Sequence, residues 1–180
     1  METKNQESQD SQETQQIQET QEVQPDKDSF ESLGLSSILM DALNKKNFKK
    51  ATPIQAATIP IILKSDRDMI AQAQTGTGKT AAFGLPMLDK LNPGASDVQA
   101  IIVTPTRELT MQVSRELSEL KGAKKLSIVP IYGGQSIDLQ KQQLRRGRDI
   151  IVGTPGRVLD HLKQKTFTLS QVKMLVLDEA

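Results

Sequence analysis

Two stretches from distant parts of the chain hold residue types that do chemistry in combination: "AQTGTGKT" (73–80) and "LDEA" (177–180). In the first, Gly76 and Gly78 let the backbone wrap closely. The N–H groups of Ala73, Gln74, Thr75, Gly76, Thr77 and Gly78 can then point inward at phosphate oxygens. A helix opening at Lys79 adds the partial positive charge of its N-terminus. Lys79 can reach β- and γ-phosphates, each charge-assisted hydrogen bond contributing about 1.5–3 kcal/mol, and Thr80 offers a hydroxyl to Mg²⁺. The strict loop pattern begins with glycine and Ala73 holds that place, so a glycine-rich turn that only caps a helix is the competing reading. In the second stretch, Asp178 at a strand tip suits Mg²⁺, directly or through water, beside Thr80. Glu179 would orient and polarise the water that attacks a γ-phosphate, a role worth about 10²–10⁴-fold in rate. Alone, Asp-Glu after an apolar run is more often a solvated strand end. With the phosphate loop upstream in one sheet, the set Lys79, Thr80, Asp178 and Glu179 implies nucleoside triphosphate hydrolysis.

The elements that must position these groups show in the hydrophobic pattern. "DMIAQA" (68–73), "VQAIIVT" (98–104), "LSIVPIY" (126–132), "DIIVGT" (149–154) and "VKMLVLD" (172–178) are short, β-branched and apolar on both faces, and read as strands of a covered parallel sheet. Between them, 79–91, 107–121, 136–147 and 156–165 have helical spacing or composition. The alternation predicts an α/β fold with a doubly wound parallel sheet. Ligands of such sheets sit at the carboxyl edge, where the motifs fall.

Composition sets the bounds. The 180 residues carry 36% hydrophobic and 25% charged residues and a formal charge of +1. That balance is a cancellation. Residues 1–28, a Gln/Glu-rich stretch, hold 8 acidic and 2 basic residues and too few apolar ones to offset their ordering entropy, so they read as a disordered, solubilising tail. Residues 29–180 hold 21 basic against 14 acidic, which suggests a polyanionic partner. There are no cysteines, so disulfides, thiol catalysis and Cys-ligated zinc are excluded. His161 is the only histidine and reads as an exposed helix residue. With no signal peptide and no apolar run of membrane-spanning length, the sequence predicts a soluble, cytoplasmic protein that does not engage a membrane. "KKNFKK" (45–50) and "RRGR" (145–148) read as solvated charge.

Six motifs in fixed order carry a resemblance. They are "NFKKATPIQ" (47–55), "AQTGTGKT" (73–80), "PTREL" (105–109), "GG" (133–134), "TPGR" (154–157) and "LDEA" (177–180). From Phe30 to Ala180 the sequence resembles the DEAD-box ATP-dependent RNA helicases. The resemblance implies that 29–180 is the first RecA-like, P-loop NTPase domain, incomplete at its C-terminal end, with its adenine-reading motif at 28–56. It implies ATP and Mg as cofactors and RNA as partner. The Gln55 amide would pair with adenine, and Phe30, which by itself reads as a core anchor, would pack on the adenine. Pro105, Thr106, Arg107, Gly133, Gly134, Thr154, Pro155, Gly156 and Arg157 would grip one RNA strand along its backbone, through strand–helix connections that suit phosphates rather than bases.

Three positions depart from the family pattern. Asn47 stands where Gly is common, Ala51 where Pro is frequent, and Thr110 where Ala is usual. Asn tolerates positive φ better than most residues, and the Thr110 change is conservative. By the same resemblance a second aspartate follows Ala180, and a second helicase domain, absent from this chain, supplies arginines worth about 10³–10⁵ in rate. The 180 residues alone would then bind ATP weakly without unwinding RNA, and apolar sheet surface would stay exposed. The competing reading is a stand-alone nucleotide- or RNA-binding regulatory module without catalysis.

Overall fold

The computed structural model describes residues 29–179. The expectation of disorder for 1–28 and the position of Ala180 lie outside the described residues. A 3-10 turn (Phe30–Leu33) leads into α1 (Ser37–Lys45) and α2 (Pro53–Lys64). Then follow α3 (Lys79–Lys90), β1 (Ala100–Val103), α4 (Arg107–Leu120), β2 (Ile128–Ile131), α5 (Ile137–Arg146), β3 (Ile150–Gly153), α6 (Pro155–Lys163) and β4 (Met174–Leu177).

The four strands pair in parallel in the order β2-β3-β1-β4. Ala100 lies opposite Ile150 on one side and Met174 on the other, and Ile128 lies opposite Ile150. The two-residue period of a strand then sorts the side chains. Ala100, Ile102, Ile150 and Val152 join Leu39, Leu43, Ile59, Leu85, Leu88, Val113 and Leu117 in one buried cluster beneath α1–α4. Ile101, Val129, Ile131 and Ile151 turn the other way, against Leu144 of α5, Val158 of α6 and Phe167. Helices cover both faces, as the alternation predicts, and each fully buried aliphatic side chain contributes about 1.5–3 kcal/mol. β1, β2 and β3 each run out at the carboxyl edge into α4, α5 and α6, so every strand–helix connection carrying a motif opens on one rim.

Two sequence expectations need correction. Residues 68–73 form no strand: they have no regular structure and pair with none of the described strands, with Ile70 fully exposed. Apolar patterning marks a segment that can be buried, but a strand also needs a neighbour's N–H and C=O groups, and no described strand offers them there. β4 is not apolar on two covered faces either. Leu175 and Leu177, each 61% exposed, share the face of Ile101 and Val103, and none of the described helices covers them. The strand and helix alternation also left α1 and α2 unread. α2 opens with Pro53 in its first turn, where a missing N–H costs nothing. Asn47 takes φ 60, the left-handed conformation anticipated from its type, just after α1.

Candidate functional site

At the start of α3 the loop has the shape its glycines permit. Gly76 and Gly78 lie at φ 79 and 86, and Gly78 is the N-cap residue. A Cβ on Gly76 would meet nothing within 4 Å, so the inner side of the loop is open. The Lys79 ammonium donates to the Ala73 carbonyl at 3.0 Å, and the Thr77 hydroxyl donates to the Gln74 carbonyl at 2.7 Å. The first N–H groups of α3 have no helical acceptor and face the loop.

Gln55 braces this loop from behind. Its Nε2 donates to the Gly78 carbonyl at 3.1 Å, and its Oε1 accepts from the Thr52 N–H at 3.0 Å, which is the return half of a capping box on α2. In the other half the Thr52 side chain faces the Gln55 N–H without forming a full hydrogen bond. The Thr52 hydroxyl is buried without a partner among the described residues and lies beside Gly78. The buried Gln55 amide therefore spends its hydrogen bonds on protein groups, a use not read from the sequence. Phe30 is 1% exposed within the larger core cluster. It is the core anchor that its residue type describes, and its ring has no face open to an adenine in this structure.

The carboxylates come to the same rim. The Asp178 N–H donates to the Val103 carbonyl at 2.9 Å, which continues the ladder one residue past β4. Burial raises the Asp178 carboxyl above its ordinary range, the like charges of Glu179 and Glu116 add to the rise, and Lys79 opposes it. Glu179 is exposed and takes φ 56, a left-handed conformation costing about 1–2 kcal/mol for an L-residue. The donor set fits Mg²⁺, which binds hard oxygens and commonly takes one or two carboxylates plus substrate phosphates. Among the described residues no cluster of three or more His, Cys, Asp or Glu could hold a metal, so a protein-only cage is not on offer.

The other half of the rim gathers the remaining motifs. Thr106 caps α4, its hydroxyl accepting from the Leu109 N–H at 3.2 Å. Arg107 is exposed, its guanidinium 4.9 Å over the ring of Tyr132. Gly133 and Gly134 are exposed, the latter at φ 82, and a side chain on Gly134 would meet Arg107. Thr154 is the N-cap residue of α6, without a side-chain capping bond and followed by Pro155, and a Cβ on Gly156 would meet nothing within 4 Å. Backbone N–H groups at three connections thus open on one side. Thr110 is fully buried: its hydroxyl bonds to Thr104 at 2.6 Å and to the Thr106 carbonyl at 2.9 Å, fixing the first turn of α4 to the end of β1.

Arg157 departs from the simple phosphate-contact reading. Its Nη1 donates to the Gln135 carbonyl and the Gln140 Oε1, both at 2.9 Å, and its Nε lies 3.7 Å from Asp160. His161 is not an exposed helix residue but fully buried, with Nε2 3.1 Å from the Gln140 Oε1. Its position three residues after Val158 puts it on the inward stripe of α6, and that spacing was the available signal. Gln140 and Gln135 were missed altogether, because their partners come from other elements.

Comparison with known proteins agrees with this geometry. The family model described as DEAD/DEAH box helicase matches residues 52–180. The DEAD-box ATP-dependent RNA helicase CshA of Bacillus subtilis is 53% identical over 152 residues, which is 84% of this chain and 31% of that protein. CshA of Geobacillus kaustophilus is 51% identical, with 84% of this chain and 32% of its own length covered. The chain therefore spans under a third of these relatives. Among solved structures, a DEAD box protein from Methanococcus jannaschii superposes with a TM-score of 0.79 and 44% identity, over 83% of this chain and 40% of that one. The S. cerevisiae protein Dbp5, solved bound to RNA and ADP BeF3, gives 0.73 and 37%, over 84% and 38%.

Proposed function

Because the chain belongs to the DEAD/DEAH box helicase family, we propose that it forms the nucleotide-binding part of an ATP-dependent RNA helicase, in which ATP hydrolysis is coupled to local RNA duplex unwinding by the full-length protein. The observation that supports this best is the glycine loop opening α3, with Gly76 and Gly78 at positive φ and Lys79 at its end, together with three strand–helix connections with exposed backbone on one rim.

On this reading the loop 73–80 wraps the phosphates. Lys79 exchanges the Ala73 carbonyl for a phosphate oxygen, and Gln55 ties the adenine-side helix α2 to the loop. Thr80 and Asp178 would hold Mg²⁺, which supplies charge neutralisation at the phosphates. Glu179, exposed beyond the strand, orients the attacking water. The Lys79 and Asp178 charges sit in a partly buried rim, where their interaction is stronger than in water. Thr106, Arg107, Gly133, Gly134 and Gly156 meet the RNA backbone. These motif residues suit the sugar–phosphate backbone rather than base edges, so binding is sequence-independent and falls with salt. The 180 residues by themselves bind ATP weakly and do not unwind RNA, and the whole protein works in the cytoplasm.

The test is RNA-stimulated ATP turnover by the full-length protein and its Glu179→Gln variant. Turnover should fall by about 10²–10⁴-fold while ATP affinity is kept. An unchanged turnover number would remove Glu179 from the water-activating role. A full-length protein that neither hydrolyses ATP nor separates a short RNA duplex would overturn the helicase reading.

A further inference from the structure

Gln140 lies in none of the motifs, yet its amide is the most fully engaged polar group on the RNA side of the rim. It is fully buried in α5. Its Nε2 donates to the Tyr132 carbonyl at 3.0 Å and to the Gln135 Oε1 at 2.8 Å. Its Oε1 accepts from Arg157 at 2.9 Å and meets His161 Nε2 at 3.1 Å. A guanidinium can only donate, so the amide cannot be flipped, and every donor and acceptor it has is used. The same logic fixes the histidine. Nε2 must carry the proton, and Nδ1 is left buried and bare, with no partner among the described residues. Burial lowers the His161 pKa, the cations Arg157 and Lys141 lower it further, and Asp160 opposes them.

One amide thus joins three elements: α5, the loop 132–135 after β2, and the first turns of α6. Tyr132 in turn lies under Arg107 of α4. The exposed backbone at Gly133–Gly134 and at Gly156 belongs to two of the segments that this amide holds together.

We propose that Gln140 is a positioning residue for RNA. It clasps the 132–135 loop to α6 so that their backbone N–H groups present one phosphate-binding surface, and Arg157 acts inside this clasp instead of as an independent phosphate ligand. The proposal rests on the helicase reading and names the side chain that shapes its RNA contact. A leucine at 140 would fill the space but leave the Tyr132 carbonyl, Arg157 and His161 without their partner. A glutamate would set a buried carboxylate against two acceptors.

The experiment uses the full-length protein with a single-stranded oligouridylate, titrated over a range of salt well below the unfolding temperature, alongside a fluorescent ATP analogue. Gln140→Leu should weaken RNA binding about tenfold, the scale of one lost hydrogen bond. ATP affinity and the slope of log K against log salt should stay as in the parent. A general loss of structure would lower both affinities together, so the split separates positioning from folding. Arg157→Ala should likewise lower affinity without changing the slope, whereas Arg107→Ala should make it shallower by about 0.7. If Gln140→Leu does not fold, Gln135→Ala serves. It deletes one acceptor of the amide and keeps the main-chain acceptor of Arg157, and it should show the same split in weaker form. RNA binding by Gln140→Leu or Gln135→Ala at parental strength, with Arg107→Ala weakened, overturns the clasp and leaves the helicase reading standing. A slope change in Arg157→Ala equal to that of Arg107→Ala overturns the assignment of Arg157. A parent that does not bind the oligomer overturns both readings.

Discussion

At the nucleotide half of the carboxyl edge, the functional side chains bond to the loop they serve; at the RNA half, they bond to one another beneath the surface. Lys79 and Gln55 donate to the carbonyls of Ala73 and Gly78, and the loop residues 74–76 are exposed. The segment leading in, 65–74, has no regular structure. Any phosphate that enters must take Lys79 from the Ala73 carbonyl, so part of its binding energy is offset by the exchange. Across the rim, Gln140, Arg157 and the Nε2 of His161 leave the binding surface to backbone groups and are hydrogen-bonded to one another before anything binds. That half is preorganised, which lowers the ordering cost of association. One edge of one sheet therefore holds a site that rearranges to admit its ligand beside a site already built for one.

The comparison can be broken at Lys79. In the full-length protein, Lys79→Ala should weaken ATP by about 10–100-fold, from lost charge-assisted hydrogen bonds worth about 1.5–3 kcal/mol. Oligouridylate affinity without nucleotide should stay at the parental value. Equal losses in both titrations would show that the halves are one unit and that the contrast is false.

A smaller effect tests how far the loop depends on its brace. Gly78→Ala puts a Cβ at φ 86, 2.3 Å from the Gln55 Nε2, so backbone strain of about 1–2 kcal/mol should appear as a lower urea midpoint. A variant as stable as the parent would mean that the loop relaxes freely and that Gln55 does not hold it.

The smallest effect belongs to the RNA half and depends on pH. His161 is held below its ordinary 6.5, so on acidification the unfolded chain takes up its proton first. The stability from the neutral folded imidazole is complete above pH 6.5. It is lost as pH falls through that value, until the folded ring is protonated too. Urea unfolding between about pH 7.5 and 5.5 should show a decline that His161→Gln reduces. Parallel curves for parent and variant would mean that His161 titrates alike folded and unfolded.

What could be read from sequence follows the range of the interaction. β1–β4 and α3–α6 declare themselves because burial imposes a period on neighbouring residues, and the glycines of the loop because their backbone demands are local. Asn47 is a similar case: its type tolerates the left-handed φ it takes. The failures are non-local. Residues 68–73 have a strand's composition but no described pairing partner. His161 looks polar on a polar helix until Gln140 arrives from α5. Of the two hydrogen bonds of Gln55, the one to Thr52 is local, but the one to Gly78 needs a residue that folding alone brings close. Phe30 carries two readings: its residue type describes a core anchor, and it packs in the core cluster, while the adenine contact is what the resemblance implies.

That packing has a practical side. Phe30, Leu33, Leu39 and Leu43 lie at 0–4% exposure in the same cluster as Leu85 and Ile102. The Ser29–Lys50 bridge pins the stretch at its start. A truncation series for expression would therefore meet a sharp boundary at Phe30. Versions trimmed further, to begin at the TPIQ motif, would keep every phosphate-binding residue and still be recovered as insoluble material, since the floor under the sheet goes with the first two dozen described residues.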